Sequence, residues 1–168
     1  SGDWSSDVCS SDLVADVISA GIIPAGLEMM DQLAIQAVDA FVGGGYPTEC
    51  AALLLVEVDG HEEDTRLELA RCQELLSAAG AVELRVARDA AEQAQFWRGR
   101  KSAFPALARI EPDYYCIDGT IPRAAIGEVL AFIHAAGEQA GFRVANVFHA
   151  GDGNLHPLIV FKIGRAHV

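Results

Sequence analysis

The chain has 168 residues, 51% of them hydrophobic and 21% charged, with a formal net charge of −12. That is enough apolar material for one domain with its own core, which excludes a disordered chain, and no apolar run reaches the roughly 20 residues of a membrane span. The acidic balance argues against a nucleic-acid partner, which needs a basic footprint, and says little about small anions, which respond to local charge.

The two ends are anomalous. Asp7-Val8-Cys9-Ser10-Ser11-Asp12 and the start of Leu13 can be encoded by a DNA string whose reverse complement, completed by one base, encodes Lys162-Ile163-Gly164-Arg165-Ala166-His167-Val168. Two ends of a protein have no reason to be complementary as DNA. The string resembles a common short-read sequencing adapter, and Asp3-Trp4-Ser5-Ser6 fits its upstream extension. Residues 1–13 and 162–168 are therefore expected to be adapter-derived tails, set aside from fold reasoning, with 14–161 the domain itself. Cys50, Cys72 and Cys116 then remain, odd in number and widely spaced, which fits a reduced, cytoplasmic protein better than a disulfide framework. No signal peptide or genuine start is visible, so the original N-terminus is expected to be missing.

After Ile22-Ile23-Pro24, the residues Met30, Leu33, Ala34, Ala37, Val38 and Phe41 recur at helical spacing and predict a helix, ended by Gly43-Gly44-Gly45-Tyr46-Pro47. That Gly-rich loop lacks the Lys and Ser/Thr of a phosphate cradle and reads as a linker. Ala51 to Val58, with Leu53-Leu54-Leu55-Val56 unalternated, predicts a strand buried on both faces. Glu62, Glu63 and Asp64 open a helix with Leu69, Cys72, Leu76 and Ala79 inward and Gly80 as its stop, so Cys72 is a core residue. Ala81 to Val86 alternates and predicts a second strand, which would complete a βαβ unit.

Asp89 and Glu92 cap the next predicted helix, which carries Phe96-Trp97-Arg98-Gly99-Arg100-Lys101. Such a crowd of aromatic and basic groups is either an aromatic inner face with a solvated basic outer face or an anion site, since Arg presents a planar fork to a carboxylate. Pro112 to Pro122 reads as a strand running into a helix with Ile126, Val129, Leu130 and Ile133 inward and Gly141 as its stop; His134 falls on that helix's surface. Finally Phe148-His149-Ala150-Gly151-Asp152-Gly153-Asn154-Leu155-His156-Pro157 lies between two apolar runs and predicts a hairpin. A hairpin lets His149 and His156 converge, as half of a transition-metal site or as a plain cross-strand pair. The order of elements predicts an α+β, ferredoxin-like split βαβ sandwich, with an antiparallel or mixed sheet and helices on one face.

The two histidines around Gly151, Asp152, Gly153 and Asn154 carry a resemblance to the C-terminal domain of FAD-linked oxidases of the vanillyl-alcohol-oxidase type. That family includes the FAD-linked subunit of glycolate oxidase, D-lactate dehydrogenases and D-2-hydroxyglutarate dehydrogenase. Pro24-Ala25-Gly26-Leu27-Glu28-Met29-Met30-Asp31 is similar to the start of the family's domain, and Trp97 with Arg100 matches its Trp-x-x-Arg pattern. The resemblance implies that His149 and His156 bind a divalent metal (Zn, Mn or Fe) beside the flavin and that Arg100 holds the substrate carboxylate, with Arg98, Lys101 and Arg109 as weaker candidates. Some relatives carry a lysine near Cys116 as a second carboxylate contact, which Cys116 cannot replace. This favours the glycolate-oxidase-like branch and a small 2-hydroxy acid.

By the same resemblance, FAD is bound mainly by a domain upstream of this chain, and the partners are other glycolate oxidase subunits, including an iron–sulfur subunit at the inner membrane. Relatives complete the site with a Glu-His-Gly segment after the hairpin, whose glutamate is a further metal ligand and whose histidine handles the substrate proton. Nothing after Phe161 matches it, so the chain by itself is expected to be inactive. Two other readings stand beside this one: a metal-dependent hydrolase and a non-catalytic ferredoxin-like binding module.

Overall fold

The computed structural model describes Ile22 and residues 24–164; the expected tail 1–13 and residues 165–168 of the other lie outside the described residues. Strand β1 (Gly26–Asp31) leads directly into helix α1 (Gln32–Val42), and strand β2 (Ala52–Glu57) into α2 (Glu62–Ala78). Helices α3 (Ala90–Lys101) and α4 (Ala103–Leu107) follow, then β3 (Asp113–Cys116), β4 (Gly119–Thr120), a 3-10 turn (Arg123–Ala125) and α5 (Ile126–Ala140). Strands β5 (Arg143–His149), β6 (Asn154–Leu155) and β7 (Pro157–Phe161) end the described chain.

The expected α+β class is what forms, and every strand pairing in the seven-stranded sheet is antiparallel. β5 organises the sheet by dividing its partners. Its first half pairs with β7, Ala145 opposite Leu158, and its second half with β1, Val147 opposite Met30 and His149 opposite Glu28. The return strand of the hairpin is correspondingly broken into β6 and β7, with His156 between them.

Strand parity divides the core in two. Met30, Ala145 and Val147 pack with Ala34, Ile35 and Val38 of α1 and Ala103, Ala106 and Leu107 of α4. Leu27, Met29 and Phe148 point the other way, onto Ile126 and Leu130 of α5. The helices, expected on one face, are thus shared between both, because β1 and β5 are apolar on alternate residues of each parity. Phe148 is fully buried, and truncating it to alanine would cost about 3–5 kcal/mol by the cavity left behind.

Several local signals act as read. Asp89 accepts from the backbone N–H of Ala91 (3.0 Å) and Glu92 (2.9 Å), and the Glu92 carboxylate reaches back to Arg88 N–H (2.8 Å). Gly43 (φ 63°) and Gly141 (φ 74°) end α1 and α5 in the left-handed region. Cys72 is buried against Val56, Leu75 and Leu76.

Three expectations are corrected. Met30 belongs to a strand, and the helix begins only at Gln32 because the Asp31 carboxylate caps it through Ala34 N–H (3.0 Å). β2 is half-buried along its whole length, and among the described residues it is an edge strand with β1 as its one ladder partner. Ala81 to Val86 forms no strand, so the βαβ unit is not completed: Val82 is 87% exposed, Glu83 pairs with Arg85 (2.6 Å), and Arg85 donates to the Gly45 carbonyl (3.2 Å). Alternating residues without a surface to pack on gain little from joining a ladder.

Candidate functional site

The register of β1 against β5 sets Glu28 directly opposite His149 on one face. Glu28 is buried, 8% exposed, in a strand that is otherwise apolar after Gly26 until Asp31. One of its carboxylate oxygens stands 2.6 Å from His149 Nδ1 and the other accepts from Arg100 Nε at 2.9 Å. Arg100 reaches it from the last turn of α3, with its side chain 11% exposed. This hydrogen bond uses Nε, and the two terminal amino groups of Arg100 make no hydrogen bond to the described residues.

His156 meets His149 edge to face, ring centroids 5.3 Å apart and planes at 86°. The two histidines therefore lie on the same side of the hairpin. Burial pushes the His156 imidazole below its usual range, and His149 and Arg100 add to the effect; Asp118, 3.8 Å away and exposed, and Glu28 oppose it. The neutral imidazole so favoured is the form that ligates a metal.

The turn between the histidines is built for close approach. Gly153 (φ 69°) offers its carbonyl to Ile121 N–H (2.9 Å), and a Cβ there would collide with the Ile121 carbonyl oxygen. Arg123 donates to the Gly151 carbonyl at 3.1 Å, and Asp152 N–H donates to the His149 carbonyl at 3.3 Å. Asn154, opposite His149 in the ladder, has a buried side-chain oxygen with no hydrogen-bond partner among the described residues, an acceptor that a cation or a hydroxyl donor would satisfy. Glu28, His149, Gly151, Asp152 and Arg123 line a cleft of about 380 Å³.

Among the described residues no group of three or more His, Cys, Asp or Glu side chains is arranged to hold a metal. The paired imidazoles of His149 and His156, with the orphaned oxygen of Asn154 opposite, would fit a divalent ion only with further ligands from elsewhere.

The weaker cationic candidates are engaged otherwise. Lys101 lies over the Trp97 ring (5.9 Å) and Arg109 over Phe41 (5.3 Å), while Arg98 is exposed. His134 lies 3.8 Å from Glu138 on the surface of α5, and Cys116 sits in β3 with its thiol near the Ile117 carbonyl. Sequence reading missed Glu28 and Arg123. Glu28 left one signal, a single charge inside an apolar run; Arg123 left none.

Residues 6–167 match the family of FAD linked oxidases, C-terminal domain. The chain is 55% identical over 148 residues to glycolate oxidase subunit GlcD of Escherichia coli (strain K12), covering 88% of the chain and 30% of that protein. It is 34% identical to the GlcD subunit of Bacillus subtilis (strain 168), over 86% of the chain and 31% of the relative. It is 33% identical to D-lactate dehydrogenase of Anaerostipes hadrus, over 80% and 30%. An alkyldihydroxyacetonephosphate synthase structure superposes with a TM-score of 0.69 at 11% identity, over 94% of this chain and 34% of that one, a likeness of fold. The chain spans about 30% of the length of the curated relatives it matches. On the family match and these identities, the chain belongs to the C-terminal domain family of FAD-linked oxidases.

Proposed function

We propose that this chain is the substrate- and metal-facing part of an FAD-dependent oxidoreductase that converts a small 2-hydroxy acid, of the glycolate or D-lactate type, to the 2-oxo acid. The observation that carries the reading is the continuous contact Arg100–Glu28–His149–His156, which sets an anion-binding group beside a pair of imidazoles. Similarity to glycolate oxidase subunit GlcD and to D-lactate dehydrogenase supports the substrate class.

In this reading the terminal amino groups of Arg100 take the substrate carboxylate as a two-pronged hydrogen bond, which fixes the hydroxyl-bearing carbon relative to the hairpin. His149 and His156 would hold Zn²⁺, Mn²⁺ or Fe²⁺ near that carbon's hydroxyl. When bound, such an ion lowers the hydroxyl's pKa, and FAD, held by other parts of such an enzyme, accepts the hydride. In this reading the buried Asn154 oxygen would accept a hydrogen bond from the hydroxyl or face the ion. Partner subunits, as the name of the GlcD relative suggests, and a cytoplasmic location belong to the same reading; no helix among the described residues is long and apolar enough to cross a membrane. Residues 1–13 and 162–168 are proposed to be adapter-derived, a reading that the coding DNA tests directly.

The test is steady-state oxidation of glycolate and D-lactate by the flavoprotein that carries this domain. Arg100→Ala should raise KM or lower kcat/KM by an amount equivalent to about 1.5–3 kcal/mol, the range of a charged hydrogen bond, and Arg100→Lys should restore part of it. Unchanged kinetics in Arg100→Ala would remove the assignment.

A further inference from the structure

Among the described residues, Glu28 is the one group hydrogen-bonded to both Arg100 and His149. Its two oxygens are divided, one to Arg100 and one to His149, at 2.9 and 2.6 Å. The contact with Arg100 is shielded from water, the side chains of Glu28 and Arg100 being 10% and 11% exposed, whereas His149 on the other contact is 45% exposed. A carboxylate so placed is a poor device for stability alone, because burying an ion pair loses hydration that the attraction only partly offsets. What it supplies is geometry. A carboxylate oxygen 2.6 Å from Nδ1 accepts a hydrogen bond there, so in the neutral imidazole it selects the tautomer with the proton on Nδ1 and leaves Nε2 bare as the ligating nitrogen. The same carboxylate holds Arg100 through Nε and leaves both terminal amino groups for an external anion. A shift of Arg100 toward an anion moves the carboxylate that orients His149, and the reverse holds equally.

Resting on the function proposed above, we propose that Glu28 is the positioning residue of the site: it sets the His149 tautomer for metal binding and couples metal binding to binding of the substrate carboxylate at Arg100. Coupling of this kind is reciprocal, and a factor of at least about fivefold is the ordinary scale.

Zn²⁺ titration of the 168-residue chain by calorimetry, with and without saturating D-lactate, tests this together with ¹⁵N histidine spectra of the metal-free protein. The expected results are a His149 spectrum with Nδ1 protonated and Nε2 bare, and at least about fivefold tighter Zn²⁺ binding in the presence of D-lactate. In Glu28→Gln, Zn²⁺ affinity should fall about 10- to 100-fold, the usual effect of losing a carboxylate behind a ligating histidine, and the D-lactate effect should vanish. Glu28→Asp, which keeps the charge on a shorter arm, should recover part of both. A neutral His149 protonated on Nε2 rather than Nδ1 in the unsubstituted chain overturns the proposal whether or not any variant folds. So does Zn²⁺ binding in folded Glu28→Gln with unchanged affinity and an unchanged D-lactate effect; either result leaves the metal reading standing. An unsubstituted chain that binds no Zn²⁺ removes the metal reading and this proposal with it.

Discussion

Asp31 and Asn146, 115 positions apart, meet at one carboxylate oxygen: Asp31 Oδ2 accepts from the Asn146 backbone N–H at 2.6 Å and from its side-chain amide at 2.9 Å. The other oxygen of Asp31 caps α1 through Ala34 N–H. This buried contact lies where β5 changes partner from β7 to β1, with Asn146 opposite Pro157 and Val147 opposite Met30. The Asn146 N–H, a donor, finds its acceptor in the Asp31 side chain at the point where β5 leaves one neighbour for the other. The pairing of Glu28 with His149 follows three residues further along each strand.

Asp31→Ala removes a helix cap, worth about 1 kcal/mol, and leaves a buried Asn146 N–H without an acceptor, about 1–3 kcal/mol. The expected loss is about 2–4 kcal/mol, read as a lower urea midpoint at unchanged slope. A loss under about 0.5 kcal/mol would mean that β5 does not depend on this carboxylate.

Gly153→Ala combines a positive φ with a Cβ directed at the backbone oxygen of Ile121. The turn must open, at an expected cost of about 2 kcal/mol or more. Because the same turn sets the approach of His149 and His156, Zn²⁺ affinity should fall with it. Stability and metal binding both at the unsubstituted level would show that the turn tolerates another geometry.

His156 is held below the ordinary histidine range chiefly by burial. Between its folded pKa and about 6.5, the unfolded chain binds more protons than the folded one, so stability rises with pH in that window. The contribution is fully present above about pH 6.5 and is lost as pH falls through the folded value. Proton NMR titration of the metal-free protein should give a His156 midpoint below 6.5. A midpoint at or above that value would contradict the burial.

The purified 168-residue chain should be colourless and should not oxidise glycolate or D-lactate with added FAD and an electron-accepting dye. Among the described residues no three ligating side chains are arranged to hold a metal, and no described group is assigned to the flavin. Flavin absorbance or turnover above a protein-free blank would overturn this division of labour.

Local chemistry is legible in a sequence because its signals act over a few residues. The Asp89 cap, the glycine stops at Gly43 and Gly141, the apolar face of α5 and the Gly-Asp-Gly-Asn hairpin with its two histidines all depend on neighbours within a turn or two of chain. Their identity, with the Trp97–Arg100 spacing, was enough to indicate the family and the candidate ligands. The strand at Gly26–Asp31 was hidden because Met30 falls in phase with the helix that follows, and only the Asp31 cap separates them. Ala81 to Val86 shows the opposite failure, an alternating pattern with no surface against which to pack. The role of Glu28 could not be read at all, because a charge in an apolar strand has no meaning until register gives it a partner. His149 is 121 positions away and Arg100 is 72. What brings the three together is the division of β5 between two neighbours, a long-range pairing set by packing on both faces of the sheet.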